Sequence, residues 1–229
     1  MAGRMPLAAR LHTVRLLVCD VDGVLTDGGL WLDRAGRDAK VFSVRDGLGL
    51  SLARQAGLAT AFLTARRSPV VTLRARECGV TVVMQGRLDK GGALLEICRR
   101  VSVPPAATAY VGDDLVDLAA MRLAGVAVAV ADAAPEVKRA ADFVTAAAGG
   151  HGAVREVVER LLKAQSRWAM VVNRLAGSHP SPRKSSPSPS QEECESPAAG
   201  MSPSTLKKKT QGRNRYPGSF DRGAPWRKS

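Results

Sequence analysis

From Val14 to Val144 the chain alternates short apolar runs with amphipathic stretches, and this rhythm limits what it can fold into. The runs are Val14–Cys19, Thr60–Leu63, Thr81–Met84, Thr108–Val111 and Val126–Val130. Each is a few residues long and several are rich in Val, as strands buried on both faces require. Between them lie predicted helices at Gly47–Ala56, Pro69–Glu77, Lys90–Arg100 and Leu115–Leu123, with a further short one at Pro135–Ala140. Pro69 suits a helix first turn, and Gly57, Gly79 and Gly125 follow helix ends. Strands alternating with helices require right-handed crossovers, so the expected fold is α/β: a doubly wound, Rossmann-like parallel sheet with helices on both faces. One interruption breaks the rhythm. Leu30–Leu32 and Lys40–Ser43 flank the polar turn Asp33–Asp38 and read as a β-hairpin inserted after the first strand. The last helix starts near Gly152 and runs through Leu161 and Leu162. The rough helical spacing of Trp168, Val171, Val172 and Leu175 carries it towards residue 175.

The formal net charge of +13 suggests a nucleic-acid partner until it is divided along the chain. Residues 1–165 hold 22 Lys and Arg against 17 Asp and Glu, a net of +5; residues 166–229 hold 12 against 4, a net of +8. The last quarter also carries eight of the 13 prolines, in part as Ser-Pro repeats. It has too little apolar surface to offset its ordering entropy, so residues 177–229 read as a disordered basic tail. Its Lys207, Lys208, Lys209, Arg213 and Arg215 could make weak contact with nucleic acid or an acidic surface; a solvated tail is the simpler reading. The expected division is an extension at 1–13, a catalytic domain at 14–176 and the tail. No apolar run approaches the ~18–20 residues that span a bilayer. Met1–Arg15 lacks the apolar core and cleavage site of a secretory signal. Cys19, Cys78, Cys98 and Cys194 form no CxxC pair; three of them sit inside apolar or helical patterns, and buried thiols of a reducing, cytoplasmic setting are the simple reading, with no membrane partner.

In open parallel sheets, ligands bind beyond the carboxyl ends of the strands. The first run is followed by Asp20-Val21-Asp22-Gly23, the second by Thr64, and the fourth by Gly112-Asp113-Asp114-Leu115-Val116-Asp117; Lys90 opens the helix after the third. Asp27, Asp33, Asp89 and Asp132 read as ordinary caps and turn formers. Asp20 and Asp22 are different, because two carboxylates directly after a buried strand repel each other without a cation. With Asp113 they form an oxygen-only donor set that suits Mg²⁺, and no His or Cys near this edge suggests zinc. The set matches phosphoryl transfer. A carboxylate nucleophile, for which Asp20 is placed, splits one hard step into two through an aspartyl-phosphate. Asp22 is placed to protonate the leaving oxygen and then to deprotonate water. Mg²⁺ and Lys90 can neutralise the approaching phosphate, and the Thr64 hydroxyl with nearby backbone N–H groups can hold its oxygens.

These residues resemble the haloacid dehalogenase superfamily of phosphatases, and more closely its 3-deoxy-D-manno-octulosonate 8-phosphate (KDO 8-phosphate) phosphatase family. The likeness runs from about residue 14 to residue 165. It includes Asp20-Val21-Asp22-Gly23-Val24-Leu25-Thr26-Asp27-Gly28, Val44-Arg45-Asp46-Gly47, Thr64-Ala65-Arg66, Gln85-Gly86, Gly112-Asp113-Asp114 and Gly149-Gly150-His151-Gly152. The resemblance implies a Mg²⁺-dependent hydrolase of KDO and lipopolysaccharide biosynthesis acting on a small sugar-acid phosphate. It implies Asp20 as nucleophile and Asp22 as acid and base, with the metal held by Asp20, the Asp22 backbone carbonyl and Asp113. Asp114 and Asp117 would orient the metal's waters and Lys90. Substrate contacts would come from Asp22, Lys90, the loop Ser43, Val44, Arg45, Asp46 and Gly47, and from Arg66 and Arg74, because Arg forks suit both carboxylate and phosphate. Arg74 could equally be a solvated helix face.

Three positions depart from the family pattern: Ala65 stands where relatives often have Gly, and Ser51 and His151 where they tend to have Arg or Lys. The last two remove positive charge that could meet the substrate, so a neighbouring activity on a nonulosonate 9-phosphate is an alternative. A non-catalytic assembly module of the same fold is another, and such a module would be free to lose the Asp20, Asp22, Lys90 and Asp113 set, which is intact here. The interval from the first strand to Thr64 holds only the hairpin and one helix, and that from Thr64 to Lys90 only one helix and one strand. Neither has room for a separate cap domain. The fold is therefore expected to be capless, with the site covered by a neighbouring subunit through Leu30–Ser43 hairpins packed around a shared axis; the resemblance implies a homotetramer with the Gly149–Gly152 segment near an adjacent site.

Overall fold

The computed structural model describes residues 5–177 apart from Ala35 and Arg37. The predicted basic tail beyond residue 177, with its lysine run and Cys194, lies outside the described residues.

The chain opens with α1 (Leu7–Thr13) and enters the sheet through β1 (Leu16–Cys19), in which all four residues are buried. A hairpin follows, made of β2 (Trp31–Leu32) and β3 (Asp38–Ala39). Then come α2 (Val44–Gln55), β4 (Ala59–Thr64), α3 (Pro69–Cys78), β5 (Val82–Gln85), α4 (Lys90–Arg100) and β6 (Thr108–Gly112). A 3₁₀ turn at Leu115–Asp117 leads into α5 (Leu118–Leu123). The chain closes with β7 (Val126–Ala129), α6 (Pro135–Ala140), β8 (Phe143–Val144), α7 (Ala153–Ala164) and α8 (Trp168–Gly177).

Six strands form one sheet in the order β5-β4-β1-β6-β7-β8, and every pairing is parallel. β1 lies inside, with Leu16 beside Ala59 of β4 on one edge and Thr108 of β6 on the other. β1, β6 and β7 are buried along their whole length, so helices must cover both faces. One helix pair is α2 and α7, the other α4 and α5. β1, β4, β5, β6 and β7 each overlap the apolar run that predicts them, although the edge strand β5 is only part-buried. Cys19, Cys78 and Cys98 are free and buried, as expected of the thiols. Among the described residues no helix is long and apolar enough to cross a membrane.

Local chemistry displaces several boundaries. The second hairpin strand is Asp38–Ala39, earlier than the predicted Lys40–Ser43, because Ser43 caps α2: its hydroxyl accepts from the Arg45 and Asp46 amides at 3.2 and 3.5 Å. The predicted helix over 115–123 is split, because Asp114 caps the Leu115 amide and Asp117 accepts from the Asp114 amide, which tightens the first turn. The last helix breaks as well. Ser166 takes the left-handed conformation with φ 56°, and α8 is a separate element. Two elements have no apolar run to announce them. β8 has only two residues, and α1 packs on α7 through buried Leu11 while Arg10 holds Asp142 at 2.8 and 2.7 Å. The segment predicted as an N-terminal extension therefore supplies a helix to the packed domain.

Candidate active site

The strand order creates the site. From β1 the chain fills β4 and β5 on one side, then returns to lay β6, β7 and β8 on the other, so β1 borders the reversal point where open sheets hold ligands. Cys19 ends β1 beside Val111 of β6, and the Asp20 amide donates to the Val111 carbonyl at 3.0 Å. Asp20 and Asp113 therefore leave adjacent strands side by side. Thr64 ends β4 on the other side of β1, and Lys90 begins α4 after β5. Asp20, Asp22, Thr64, Ala65, Arg66, Lys90, Asp113, Asp114 and Val116 line one cavity of about 150 Å³.

Lys90 is the electrostatic centre. Its side chain is 1% exposed, and its ammonium lies 2.9 Å from Asp20 Oδ2 and 2.6 Å from Asp117 Oδ1. Burial alone would pull this ammonium down; Asp20 and Asp117 overcome that and hold it above its ordinary value. Asp117 is fully buried with both oxygens engaged. Oδ1 also accepts from the Tyr110 hydroxyl at 2.7 Å, and Oδ2 accepts from the Asp113 and Asp114 amides at 2.9 and 3.2 Å. It can thus orient Lys90 and the Asp113 loop. Asp22 accepts from the Thr64 hydroxyl at 3.3 Å, while the Thr64 oxygen accepts from the Arg66 amide at 3.1 Å.

The donor set fits a hard divalent cation. Asp20 and Asp113 each bring an oxygen within 4.8 Å of the other and of Asp117, whose own oxygens are already engaged, and Asp113 Oδ1 is buried with no hydrogen-bond partner. Burial first, then the Asp117 charge, pushes the Asp20 carboxyl up to about 6; burial, then Asp20 and Asp117, pushes Asp113 up to about 8. A cation among these oxygens relieves that repulsion. Gly23 keeps the place open. Its φ of +94° is left-handed, and a Cβ there would run into the Asp113 carboxylate.

The predicted substrate loop is not in this cavity. Arg45 lines a separate one with His151, Gly152 and Arg155. Val44 is exposed, and Asp46 is buried with its carboxylate accepting from the Gly152 and Arg155 amides at 3.2 and 2.8 Å, which caps α7. Within one chain Asp46 therefore has a structural task. Arg74 lies outside this cavity and is not a solvated face: it donates to the Ser43 carbonyl at 2.9 Å and to Glu77 at 2.8 Å, and lies over Phe42. Gly47 makes room for it, since a Cβ would strike the guanidinium. Two further residues reach this site without a clear sequence signal, Tyr110 through Asp117 and Lys40 through Asp22. The ammonium of Lys40 pairs with Asp22 from the hairpin. Their signal was faint: Tyr110 sits inside an apolar run, and Lys40 reads as an ordinary strand lysine.

Comparison with known proteins agrees with this geometry. A haloacid dehalogenase-like hydrolase family matches residues 60–157. The chain is 42% identical over 159 residues to the 3-deoxy-D-manno-octulosonate 8-phosphate phosphatase of Escherichia coli strain K12, covering 69% of this chain and 85% of that one. The crystal structure of the same-named phosphatase from Yersinia pestis is similar with a TM-score of 0.69 and 40% identity, over 71% of this chain and 88% of that one. The corresponding phosphatase from Moraxella catarrhalis, in complex with magnesium ion, phosphate ion and KDO, matches with a TM-score of 0.71 and 37% identity, over 73% of this chain and 97% of that one.

Proposed function

The chain belongs to the 3-deoxy-D-manno-octulosonate 8-phosphate phosphatase family of haloacid dehalogenase-like hydrolases, and from that premise we propose that it hydrolyses KDO 8-phosphate to KDO and phosphate with Mg²⁺. The observation that carries the chemistry is the gathering of Asp20, Asp22, Thr64, Lys90 and Asp113 around one cavity. The substrate rests on the E. coli and M. catarrhalis relatives, which weigh against the nonulosonate alternative. The intact carboxylate and lysine set weighs against a non-catalytic module.

In this reading the Asp20 carboxylate attacks phosphorus while Asp22 gives its proton to the leaving sugar oxygen. Asp22 then takes a proton from water, whose oxygen attacks the aspartyl-phosphate and frees Asp20 and phosphate. Lys90 and the Thr64 hydroxyl hold the phosphoryl oxygens, and Asp117 keeps Lys90 in place. Asp20, the Asp22 carbonyl and Asp113, with Asp114 beside them, would hold Mg²⁺, which would supply the positive charge that lets two anions meet. Arg66, on the rim of the cavity, faces the sugar acid. Turnover of a panel of sugar-acid phosphates with Mg²⁺ tests this reading. KDO 8-phosphate is expected to have the highest kcat/KM, and chelation to abolish turnover. Protons and the cation compete for Asp20 and Asp113, whose carboxyls are held up to about 6 and about 8. The Mg²⁺ concentration for half-maximal rate should therefore fall as pH rises from 6 to 8. Turnover after exhaustive chelation, or preference for a nonulosonate phosphate, would overturn the assignment.

The functional unit is a homotetramer in this reading. The hairpin exposes Trp31 at 70%, Leu32 at 60% and Val41 at 70%, a concentration of apolar surface that a second copy would cover. Such packing would also cover the open cavity with a neighbouring subunit, which no cap domain does within one chain. Light scattering should give four chains; an active monomer at assay concentration would refute the shared site.

A further inference from the structure

Lys40 lies just beyond β3. Asp38 and Lys40 are two residues apart on extended chain, so their side chains leave the same face, while Val41 turns outward. The Lys40 side chain is 1% exposed, and its ammonium pairs with Asp22 Oδ1 and lies 3.4 Å from Asp38 Oδ2. The other oxygen of Asp22 accepts from the Thr64 hydroxyl at 3.3 Å. Asp38 is anchored in turn. Its Oδ1 accepts from the Ser68 hydroxyl at 3.0 Å, the Ser68 amide donates to Gln85 Oε1 at 2.7 Å, and Gln85 Nε2 donates to the Thr72 hydroxyl at 2.9 Å. A chain of polar contacts therefore runs from α3 and β5 through Asp38 and Lys40 and ends on Asp22. The two buried lysines divide the carboxylates: Lys90 pairs with Asp20 and Asp117, Lys40 with Asp22 and Asp38.

We infer that Lys40 is a positioning residue for Asp22, holding one oxygen of its carboxyl group so that the other is presented, with its proton, to the leaving oxygen. The inference rests on reading Asp22 as the acid and base. A general acid works only within hydrogen-bond reach of the atom it protonates, and Asp22 follows the end of β1 on irregular chain with no helix or strand of its own to fix it. A cation whose side chain is 1% exposed, with Asp38 beside it, gives one Asp22 oxygen a fixed partner and leaves the other, 3.3 Å from the Thr64 hydroxyl, to carry the proton towards the leaving oxygen. Lys40 also couples the hairpin to the chemistry, since Trp31 and Leu32 pair directly with the strand that carries Asp38.

The test separates this role from phosphate binding and from mere folding. Sugar phosphates leave as alkoxides and need a proton; p-nitrophenyl phosphate leaves as a stabilised phenolate and does not. The ratio kcat/KM reports the steps up to the phosphoenzyme, so it isolates the proton given by Asp22. Lys40→Met is expected to lower kcat/KM on the sugar-acid phosphate about 10- to 100-fold and on p-nitrophenyl phosphate by about threefold or less. Inhibition by inorganic phosphate should be unchanged, and Lys40→Arg should recover part of the loss. Asp38→Asn, which keeps Lys40 but loosens it, should give the same selectivity more weakly, and it serves if Lys40→Met does not fold. Equal losses on both esters, or weakened phosphate inhibition, would overturn the inference. Asp22→Asn is the control. If it is selective and neither Lys40→Met nor Asp38→Asn is, the inference alone fails; if it is not selective either, the reading of Asp22 fails and takes the inference with it.

Discussion

Asp20→Asn is expected to lower turnover by about 10⁴-fold or more, the scale seen when a covalent nucleophile is removed. The amide has nearly the same shape, so the change removes the attacking anion and leaves the packing. Asp20 is 5% exposed, and its Oδ2 lies 2.9 Å from the Lys90 ammonium. An amide oxygen there still accepts from Lys90, while an NH₂ turned that way would repel it. The fold should therefore persist, with a small fall in thermal stability. The wild-type protein quenched during turnover should yield a phosphorylated peptide containing residue 20, and the variant none. Mg²⁺ affinity should also weaken, because the same side chain belongs to the Asp20, Asp113 and Asp117 cluster. Saturating Mg²⁺ separates the two effects: activity restored by metal alone would mean that residue 20 holds the cation and does not attack phosphorus. Residual activity within tenfold of wild type would exclude a covalent route through this residue.

The framework of the site was legible because two rules coincide. Strands buried on both faces are written as short apolar runs, and ligands gather where such strands end. Asp20, Thr64, Lys90 and Asp113 follow directly, each from its place after a run. What escaped depends on side chains that cross between elements. Asp46 stands in a Val-Arg-Asp-Gly loop that reads as a substrate contact, yet its carboxylate caps α7, more than 100 residues away in the chain. No local pattern distinguishes an acid that meets a ligand from one that caps a distant helix. Arg74 is a similar case: helical spacing puts it on a surface, and only the approach of α3 to the start of α2 shows that it holds the Ser43 carbonyl. Lys40 escaped because the hairpin's second strand begins two residues earlier than its composition suggests. Once Asp38 and Lys40 share a face, a charged strand residue becomes part of the site.

Lys90→Met should damage stability and activity together, because one ammonium serves three tasks. It neutralises Asp20, it neutralises Asp117, and in the proposed mechanism it meets the phosphoryl group. Its pairs are 1% exposed on the lysine side and 7% and 0% on the carboxylates, so little water screens them. Removing one partner of such a buried group leaves charge uncompensated and costs about 3–5 kcal/mol. Asp20, already pushed up by burial and by Asp117, loses the cation that opposes the shift. More of it is then protonated at neutral pH, so the nucleophile is depleted as well as unsupported. Lys90 itself, against the pull of burial, is held above the ordinary lysine value of about 10.5 by Asp20 and Asp117, which keeps it charged at any working pH. The sign follows: its contribution to folding is present in full below 10.5 and is lost only as pH climbs through the higher folded value. Wild type should therefore show no loss from this residue between pH 6 and 9, whereas the methionine variant should melt well below wild type throughout. Mg²⁺ should recover part of its melting temperature, since a cation beside Asp20 and Asp113 replaces some of the missing charge. It should not recover turnover, which is expected to stay about 10³-fold down or lower, as for other electrostatic stabilisers of a developing anion. A Lys90→Met protein that melts with wild type, or turns over within tenfold of it, would show that this buried lysine neither supports the carboxylates nor meets the phosphate.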